Sequence, residues 1–260
     1  MLIHIVETTS YYWHRTMYFI NWQRDVNIAK RNGQKVVVKS NKSSKSFHEY
    51  LLALSYTLVS VALGHPDSPP TVGEKVIKNE SDNMRSHLEK LGIRTPRLIS
   101  LSDSLLVEEF IELGDLYSVF LDTSSKRVIS SLANEAGMMT GSLHSDGSVF
   151  VDNKCQNYLV GKNYGMLYRT DLGFIQKKNS VFSRSMDIGT FLASALDLSP
   201  SRYTAIESGF HRGYCSVTNR GFPYLSVILR NILAPGFAFD HAYMLKNMFI
   251  DSADKCSVGD

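Results

Sequence analysis

The sequence predicts an α+β fold, with an antiparallel sheet and a few helices in the N-terminal part and mostly helices after it. Three observations support this prediction. The dipeptide Asn32-Gly33 separates two β-prone segments, as in a tight hairpin. Apolar residues recur at helical spacing through residues 128–143. A second short hairpin, YLV followed by MLY, begins after Asn157 and would lie at the centre of the helical part.

Composition sets broad limits on the function. The 260 residues, 43% hydrophobic and 20% charged, can bury a substantial core and are not typical of a disordered chain. A net charge of +3 does not indicate a nucleic-acid partner. The three cysteines lack the spacing of a disulfide framework or zinc site, which favours a reducing cytoplasmic location. The most apolar window, residues 50–63, is shorter than the ~20 residues of a membrane span, so we expect a mostly buried helix.

The N-terminal part begins with two predicted strands, residues 2–6 and 16–22, which flank a polar loop. The hairpin about Asn32-Gly33 follows, and its second strand, KVVVKS, carries Lys39 near its end. Such a lysine occurs on many edge strands, and it also occurs where a strand lysine neutralises the phosphates of a nucleotide. Lys39 is therefore a candidate phosphate ligand.

Two helices are predicted next, over residues 47–63 and 74–91. Glu80 lies on or beside the apolar stripe of the second helix, which should face the sheet. Because a buried carboxylate needs a cation, we expect an ion pair between Glu80 and Lys39. Two alternatives remain open: Glu49 as the partner of Lys39, or a solvated Glu80.

The rest of the chain is predicted to contain a strand over residues 105–111, a hinge over residues 112–115 and then mainly helices. A long helix covers residues 128–143, and another covers residues 186–198. Proline and glycine, including Pro235-Gly236, are expected to separate three further helices that end near residue 250.

The acidic motifs lie between residues 143 and 174. Asp152 and Asn157 are separated by four residues, and Asp171 begins an Asp-Leu-Gly turn on the far side of the second hairpin. A phosphoryl-transfer site needs one carboxylate beside the attacking hydroxyl, and an amide oxygen and a second carboxylate for metal ions. The order and spacing of these residues therefore suggest phosphoryl transfer.

Together these features resemble the eukaryotic-like protein kinase fold, over about residues 25–200. The nearest likeness is to its small atypical branch, which includes RIO-type kinases, the kinase subunit of the KEOPS complex and lipopolysaccharide-core sugar kinases. The phrases that carry the resemblance are VVVK, the helix with Glu80, GIRTPRLIS, EEF, LHSDG, VDNKCQN and TDLG. The resemblance implies two lobes, residues 1–111 and 112–260.

The resemblance also implies a role for each motif residue. Asp152 would be the catalytic base, and Asn157 and Asp171 would ligate Mg²⁺. Lys39 and Glu80 would position the phosphates of ATP. A further aspartate, Asp187, would correspond to the helix residue that braces the catalytic loop in these kinases.

The adenine of ATP would lie beside the backbone of Glu108, Glu109 and Phe110, a site inferred from topology. The second substrate would carry a hydroxyl group, on a protein or on a sugar or other small molecule. After Asp171 the next helix follows within about fifteen residues, which disfavours peptide docking and favours a compact substrate or one fixed protein partner.

The sequence also departs from the kinase pattern. Phe150 stands where a loop-bracing histidine is usual, and His144 lies too far from Asp152 in sequence to replace that histidine. Residues 7–15, where a glycine-rich loop would cover the phosphates, contain no glycine. Two hypotheses follow: an active kinase that transfers the γ-phosphoryl group of ATP, or a pseudokinase that binds nucleotide or a partner without catalysis.

Overall fold

The computed structural model describes residues 24–42 and 44–256. Its architecture is α+β, as predicted, with an antiparallel sheet in the N-terminal part and helices after it. The predicted strands 2–6 and 16–22, and the loop between them, lie outside the described residues. The strands are β1 (Arg24–Arg31), β2 (Gln34–Asn41), β3 (Leu98–Leu101), β4 (Leu105–Glu109), β5 (Ser148–Val149), β6 (Tyr158–Val160), β7 (Leu167–Arg169) and β8 (Gln176–Lys177). The helices are α1 (Lys45–Ala62), α2 (Glu74–Lys78), α3 (Asp82–Lys90), α4 (Leu116–Asp122), α5 (Lys126–Ser145), α6 (Val181–Ala193), α7 (Pro200–Thr218) and α8 (Leu225–Cys256).

The N-terminal sheet has the strand order β1-β2-β4-β3, with each neighbouring pair antiparallel. Its first hairpin turns at Asn32 and Gly33, which both have positive φ (51° and 78°), as a type I′ turn requires. The predicted hairpin is therefore confirmed. A two-stranded antiparallel pair of β6 and β7 likewise confirms the hairpin predicted after Asn157.

The predicted helix over residues 74–91 is wrong in one respect, because it is broken into α2 and α3. The corner between them is held by Asn79, whose Nδ2 donates to the carbonyl oxygens of Gly173 (2.8 Å) and Ile175 (2.7 Å). Glu80 therefore lies in a turn rather than on a helical stripe, yet its side chain is completely buried. The turn between α2 and α3, and not a helix, directs the Glu80 carboxylate toward the sheet.

Helix α1 is present near the predicted bounds, but it is not mostly buried. One face packs Tyr56, with Leu52 and Val59 beside it, into a cluster that also contains Phe182 of α6 and Leu229 of α8. The opposite face carries large apolar side chains that remain exposed. The apolar window of the sequence is thus divided between two faces of one helix.

The main core of the helical part is formed around α5, α6 and α7. Helix α6 begins five residues earlier than predicted, with Ser180 as its N-cap, because the Ser180 hydroxyl accepts from the Ser183 amide. The predicted break at Pro235-Gly236 is wrong, since α8 continues through Pro235. No helix in the described part of the chain combines the length and apolar character needed to cross a membrane.

Helices α5 and α7 approach closely because glycine occupies their contact points. A Cβ on Gly213 would lie 1.9 Å from the Asn134 carbonyl oxygen, and one on Gly137 would lie 2.1 Å from the Phe210 carbonyl oxygen. Real Cβ atoms do not approach backbone oxygen so closely, so a larger residue at either position must push the helices apart.

The first prediction concerns this helix crossing. We expect Gly213→Ala to lower the free energy of unfolding by about 1–3 kcal/mol, because the clash outweighs the ~1 kcal/mol that alanine contributes to helix stability. Urea denaturation measures the change. Gly221→Ala is the control, since a Cβ there meets no atom within 4 Å. Equal stability of the two variants would contradict the close crossing.

Candidate active site

Three strands bring charged side chains to one face of the sheet. In the register of β1, β2 and β4, Lys39 stands opposite Val26 and Leu106, while Arg24 and Glu108 lie two residues away on the flanking strands. Because side chains alternate along a strand, Arg24, Lys39 and Glu108 project from the same face. The sheet itself therefore places two cations and one carboxylate side by side on one face.

Lys39 pairs with Glu108 and not with the predicted Glu80. Its Nζ lies 2.5 Å from Glu108 Oε1 and donates to Thr170 Oγ1 at 2.6 Å. The Thr170 hydroxyl in turn donates to Glu108 Oε1 at 3.0 Å. The predicted pair is wrong because the sheet register supplies a nearer carboxylate than the α2–α3 corner does.

Glu80 is held by two arginines. Arg24 Nη1 lies 3.2 Å from Glu80 Oε1, and Arg85 Nη2 lies 3.6 Å from Glu80 Oε2. Arg85 also reaches Glu108 Oε2 (3.2 Å) and donates to the Pro96 carbonyl oxygen (2.6 Å). Glu80 and Glu108 are thus joined through Arg85 into one buried network.

The pKa values of Glu80 and Glu108 are shifted in opposite directions in this network. Burial raises the pKa of Glu80 despite the nearby charge of Arg24. Burial would also raise the pKa of Glu108, but the adjacent Lys39 and Arg85 more than offset it and lower the pKa of that carboxyl. Glu108 therefore stays ionised as the central anion of the network.

Asp171 lies at the edge of the same network. Its backbone is left-handed (φ 58°), which turns the chain sharply at the Asp-Leu-Gly motif, and its Oδ1 lies 3.9 Å from Arg24 Nη1. Burial would raise its pKa, but the charges of Arg24, Lys39 and Lys154, among others, lower it. Asp171 is therefore an ionised carboxylate held among cations at the edge of the network.

The loop that carries Asp152 folds back on itself so that the predicted base and the predicted amide ligand meet. Asn157 Nδ2 donates to the Asp152 carbonyl oxygen (2.8 Å) and to Asp152 Oδ2 (3.1 Å). Lys154 Nζ lies 2.9 Å from the same Oδ2. Burial opposes the charge of Lys154, but Asp152 and Asp171 together raise its pKa, which places this ammonium within the field of both carboxylates.

Arg169 holds the same loop through two hydrogen bonds. Its two terminal nitrogens donate to the carbonyl oxygens of Asp152 and Asn157, both at 2.8 Å. Its guanidinium lies over the rings of Phe150, 4.5 Å from the centroid, and Tyr158, at 5.0 Å. Phe150, which stands where a histidine is usual, thus supports the loop through a cation–π contact.

Asp187 holds the same loop from a second side. Its carboxylate accepts from the backbone amides of Phe150 and Val151, both at 2.7 Å. Val151 has a left-handed backbone (φ 69°), a conformation that costs a β-branched residue roughly 1–3 kcal/mol. His144 Nε2 lies 3.1 Å from Asp187 Oδ2, so the histidine that seemed too distant in sequence orients the bracing carboxylate.

The predicted adenine site is the least supported part of the prediction. The Glu108 side chain points into the buried network. The neighbouring Glu109 is exposed, and its backbone amide already donates to the Arg97 carbonyl oxygen (3.0 Å). The Phe110 ring is partly buried and lies beneath Lys35 Nζ, 5.3 Å from the centroid. The Glu108 side chain is therefore structural rather than a contact for a base.

The structure gathers Lys39, Glu80, Glu108 and Asp171 into one network and brings Asp152 into contact with Asn157. Sequence reasoning missed five residues that complete these groups: Arg24, Arg85, Lys154, Arg169 and Thr170. Lys154 had a partial signal, because a cation two residues after a proposed base lies close to it along the chain. Arg24 and Arg85 had no such signal, because their contacts depend on sheet register and on the α2–α3 corner.

The residues present fit a magnesium ion. Asp171 offers a carboxylate, and Asn157, whose Nδ2 is directed to Asp152, has Oδ1 as its remaining amide atom. In the described part of the chain, no group of three or more His, Cys, Asp or Glu could hold a metal ion. Mg²⁺ commonly takes only one or two protein ligands beside phosphate and water oxygens, and a carboxylate and an amide oxygen are donor types that it uses. Comparison with protein-family models found no match, and comparison with curated proteins found none.

The second prediction tests the central anion. We expect Glu108→Gln to lower the free energy of unfolding by ~3 kcal/mol near neutral pH, because Lys39 and Arg85 stay buried without their carboxylate. The folded pKa of Glu108 is lowered, so its contribution is present above the unfolded pKa of about 4.3 and disappears as the pH falls through the folded value.

Urea denaturation of both proteins at several pH values checks this. The difference in stability between wild type and Glu108→Gln should be constant above about pH 5 and should shrink below about pH 4. Glu109→Gln is the matched control, since Glu109 is exposed on the same strand. A difference that does not depend on pH would show that Glu108 does not act through its charge.

Proposed function

We propose that this chain is an atypical Mg-ATP-dependent kinase, with two lobes over residues 1–111 and 112–260 and the site between them. The observation that carries the proposal is the convergence of Asp152, Asn157 and Lys154 on one loop with Asp171, beside the buried Lys39. These are the carboxylates, amide and cations that phosphoryl transfer requires. We also propose a cytoplasmic location and one fixed protein partner.

Each residue has a defined role in this proposal. Lys39 and Lys154 attract the phosphate oxygens of ATP and offset the charge that develops during transfer. Asp152 accepts the proton of the substrate hydroxyl as its oxygen bonds to the γ-phosphorus and the bond to the β–γ bridging oxygen breaks, releasing ADP. Asn157 and Asp171 would hold Mg²⁺, which supplies positive charge at the phosphates when bound.

The buried network gives the site a fixed shape before nucleotide binds. Thr170 precedes Asp171 and is bonded to both Lys39 and Glu108, so the position of the Asp-Leu-Gly turn is tied to the sheet. Arg169 and Asp187 hold the loop of Asp152. Groups held in place in this way lower the barrier to phosphoryl transfer, because they position the reactants and stabilise the charge that develops.

A specific observation favours the pseudokinase as the second candidate. Both acidic groups already have cationic neighbours: Lys154 contacts Asp152 at 2.9 Å, and Arg24 approaches Asp171 to 3.9 Å. A carboxylate that already contacts lysine must give up that contact before it can accept a hydroxyl proton, and one that contacts arginine is a poorer metal ligand. In that case the chain would bind nucleotide or a partner without phosphoryl transfer.

The third prediction tests nucleotide binding. We expect Mg-ATP at about 100 times its Kd to stabilise the full chain by ~2.7 kcal/mol, seen as a higher melting temperature. Asp171→Asn should remove the magnesium-dependent part of this shift, because the amide has no charge to balance the metal. Asp103→Asn, in an exposed turn, should behave as wild type. Absence of any shift in wild type would contradict both candidate functions that involve nucleotide.

The fourth prediction separates kinase from pseudokinase. We expect Asp152→Asn to keep the Mg-ATP thermal shift but to reduce ADP formation by ~10²–10⁴-fold, because the proton acceptor is lost while its contact with Asn157 can persist. Coupled-enzyme detection of ADP measures turnover. If wild type shows the Mg-ATP thermal shift but forms ADP no faster than Asp152→Asn, the chain is a pseudokinase.

A further inference from the structure

Helix α1 carries an apolar face whose large side chains are partly exposed to solvent. Its spacing places six side chains within about 100° of the helix circumference, the width of a core-facing stripe. Each side chain is between 39% and 61% exposed. We call this set the α1 stripe; it consists of Phe47, Tyr50, Leu51, Leu54, Leu58 and Val61.

The α1 stripe is distinct from the face by which α1 packs on its own chain. Tyr56 is completely buried in the cluster with Phe182 and Leu229, on the opposite side of the helix. The only oppositely charged residues of α1, Lys45 and Glu49, are also buried and pair with each other at 3.7 Å. The stripe itself therefore contains no charged residue.

This charge distribution decides between classes of partner. A helix that lies on a lipid surface has lysine or arginine on a solvated polar face, where it meets anionic headgroups. In α1 the face opposite the stripe is buried in protein, and Lys45 is turned inward to Glu49. An uncharged apolar stripe of this width instead fits another apolar helix face.

Five of the six residues of the α1 stripe are placed symmetrically about Leu54, and Leu51 alone has no counterpart in the stripe. In an antiparallel pair of two α1 helices that cross at Leu54, Phe47 of one copy would lie opposite Val61 of the other, and Tyr50 opposite Leu58. Each large aromatic side chain thus meets a smaller aliphatic one, while Leu54 meets its own copy at the axis. A self-complementary surface of this kind is what a twofold dimer requires.

The exposed area also suits a pair of identical helices. The six side chains expose on the order of 500 Å² per chain, so a twofold pair would bury about 1,000 Å², the lower end of specific interfaces. We infer that α1 is a dimerisation helix, which pairs with α1 of a second copy of this chain through the α1 stripe. This inference does not depend on the proposed kinase activity, because it uses no residue of the site.

The fifth prediction tests this inference by sedimentation velocity on the full chain. We expect wild type to sediment as a species of twice the 29.2 kDa chain mass at micromolar concentration and above. Leu54→Glu should weaken self-association by at least ~100-fold, because it places two like charges together at the axis. Leu121→Glu is the matched control, since Leu121 is a similarly exposed leucine on α4 and should leave the dimer intact.

A charge exchange makes the test specific for twofold pairing. Leu54→Lys should also be monomeric, but an equimolar mixture of Leu54→Glu and Leu54→Lys should form a heterodimer, because opposite charges then meet across the axis. Circular dichroism and melting temperature of each variant confirm that it is folded. Only pairing of position 54 with its own copy predicts this rescue.

Three outcomes would overturn the inference. The first is a monomeric wild type whose melting temperature falls sharply in Leu54→Glu, which would show that other residues of the same chain cover the stripe. The second is a monomeric wild type with an unchanged melting temperature, which would show an open face. The third is a dimer that survives Leu54→Glu, or two monomeric variants that do not rescue each other, which would place the interface elsewhere.

Discussion

The described structure depends above all on the buried charge network centred on Glu108. This carboxylate contacts Lys39 of β2 and Arg85 of α3, while Thr170 connects it to the Asp-Leu-Gly turn. Through Arg85 and Glu80, the network also reaches Arg24 of β1. Burying so many charges is costly unless they are mutually paired, so the sheet, the α2–α3 corner and the turn must assemble together. The same network that joins these elements therefore sets the position of Asp171.

A second constraint fixes the loop of Asp152. The Asp187 carboxylate accepts hydrogen bonds from two backbone amides of this loop, and Arg169 donates to two carbonyl oxygens of the loop. Together they satisfy buried backbone groups and hold Val151 in a left-handed conformation that it would not adopt alone. Two interactions thus take the place of the histidine missing from the sequence pattern: His144 orients Asp187, and Phe150 stacks on Arg169.

The sequence predicted the features that depend on local chemistry. The Asn32-Gly33 turn requires left-handed residues and formed as expected, and the long helix now seen as α5 follows from apolar spacing alone. Pairing between distant residues was less predictable. Lys39 was assigned to Glu80 by analogy, whereas strand register brings Glu108 closer, and register cannot be read from the separate segments. Pro235 likewise did not break the helix: α8 continues through it, although proline cannot donate a backbone hydrogen bond.

The charges of the site limit how it could work. Lys39 is held by Glu108 and Thr170, so a phosphate that binds Lys39 must compete with a buried carboxylate or add to it as a further anion. Lys154 is more accessible and lies between Asp152 and Asp171, where an arriving phosphate would draw its ammonium away from Asp152. Loss of that contact would leave the Asp152 carboxylate free to accept a hydrogen bond from a substrate hydroxyl. The Lys154 contact in the free chain therefore does not by itself argue against the proposed catalysis.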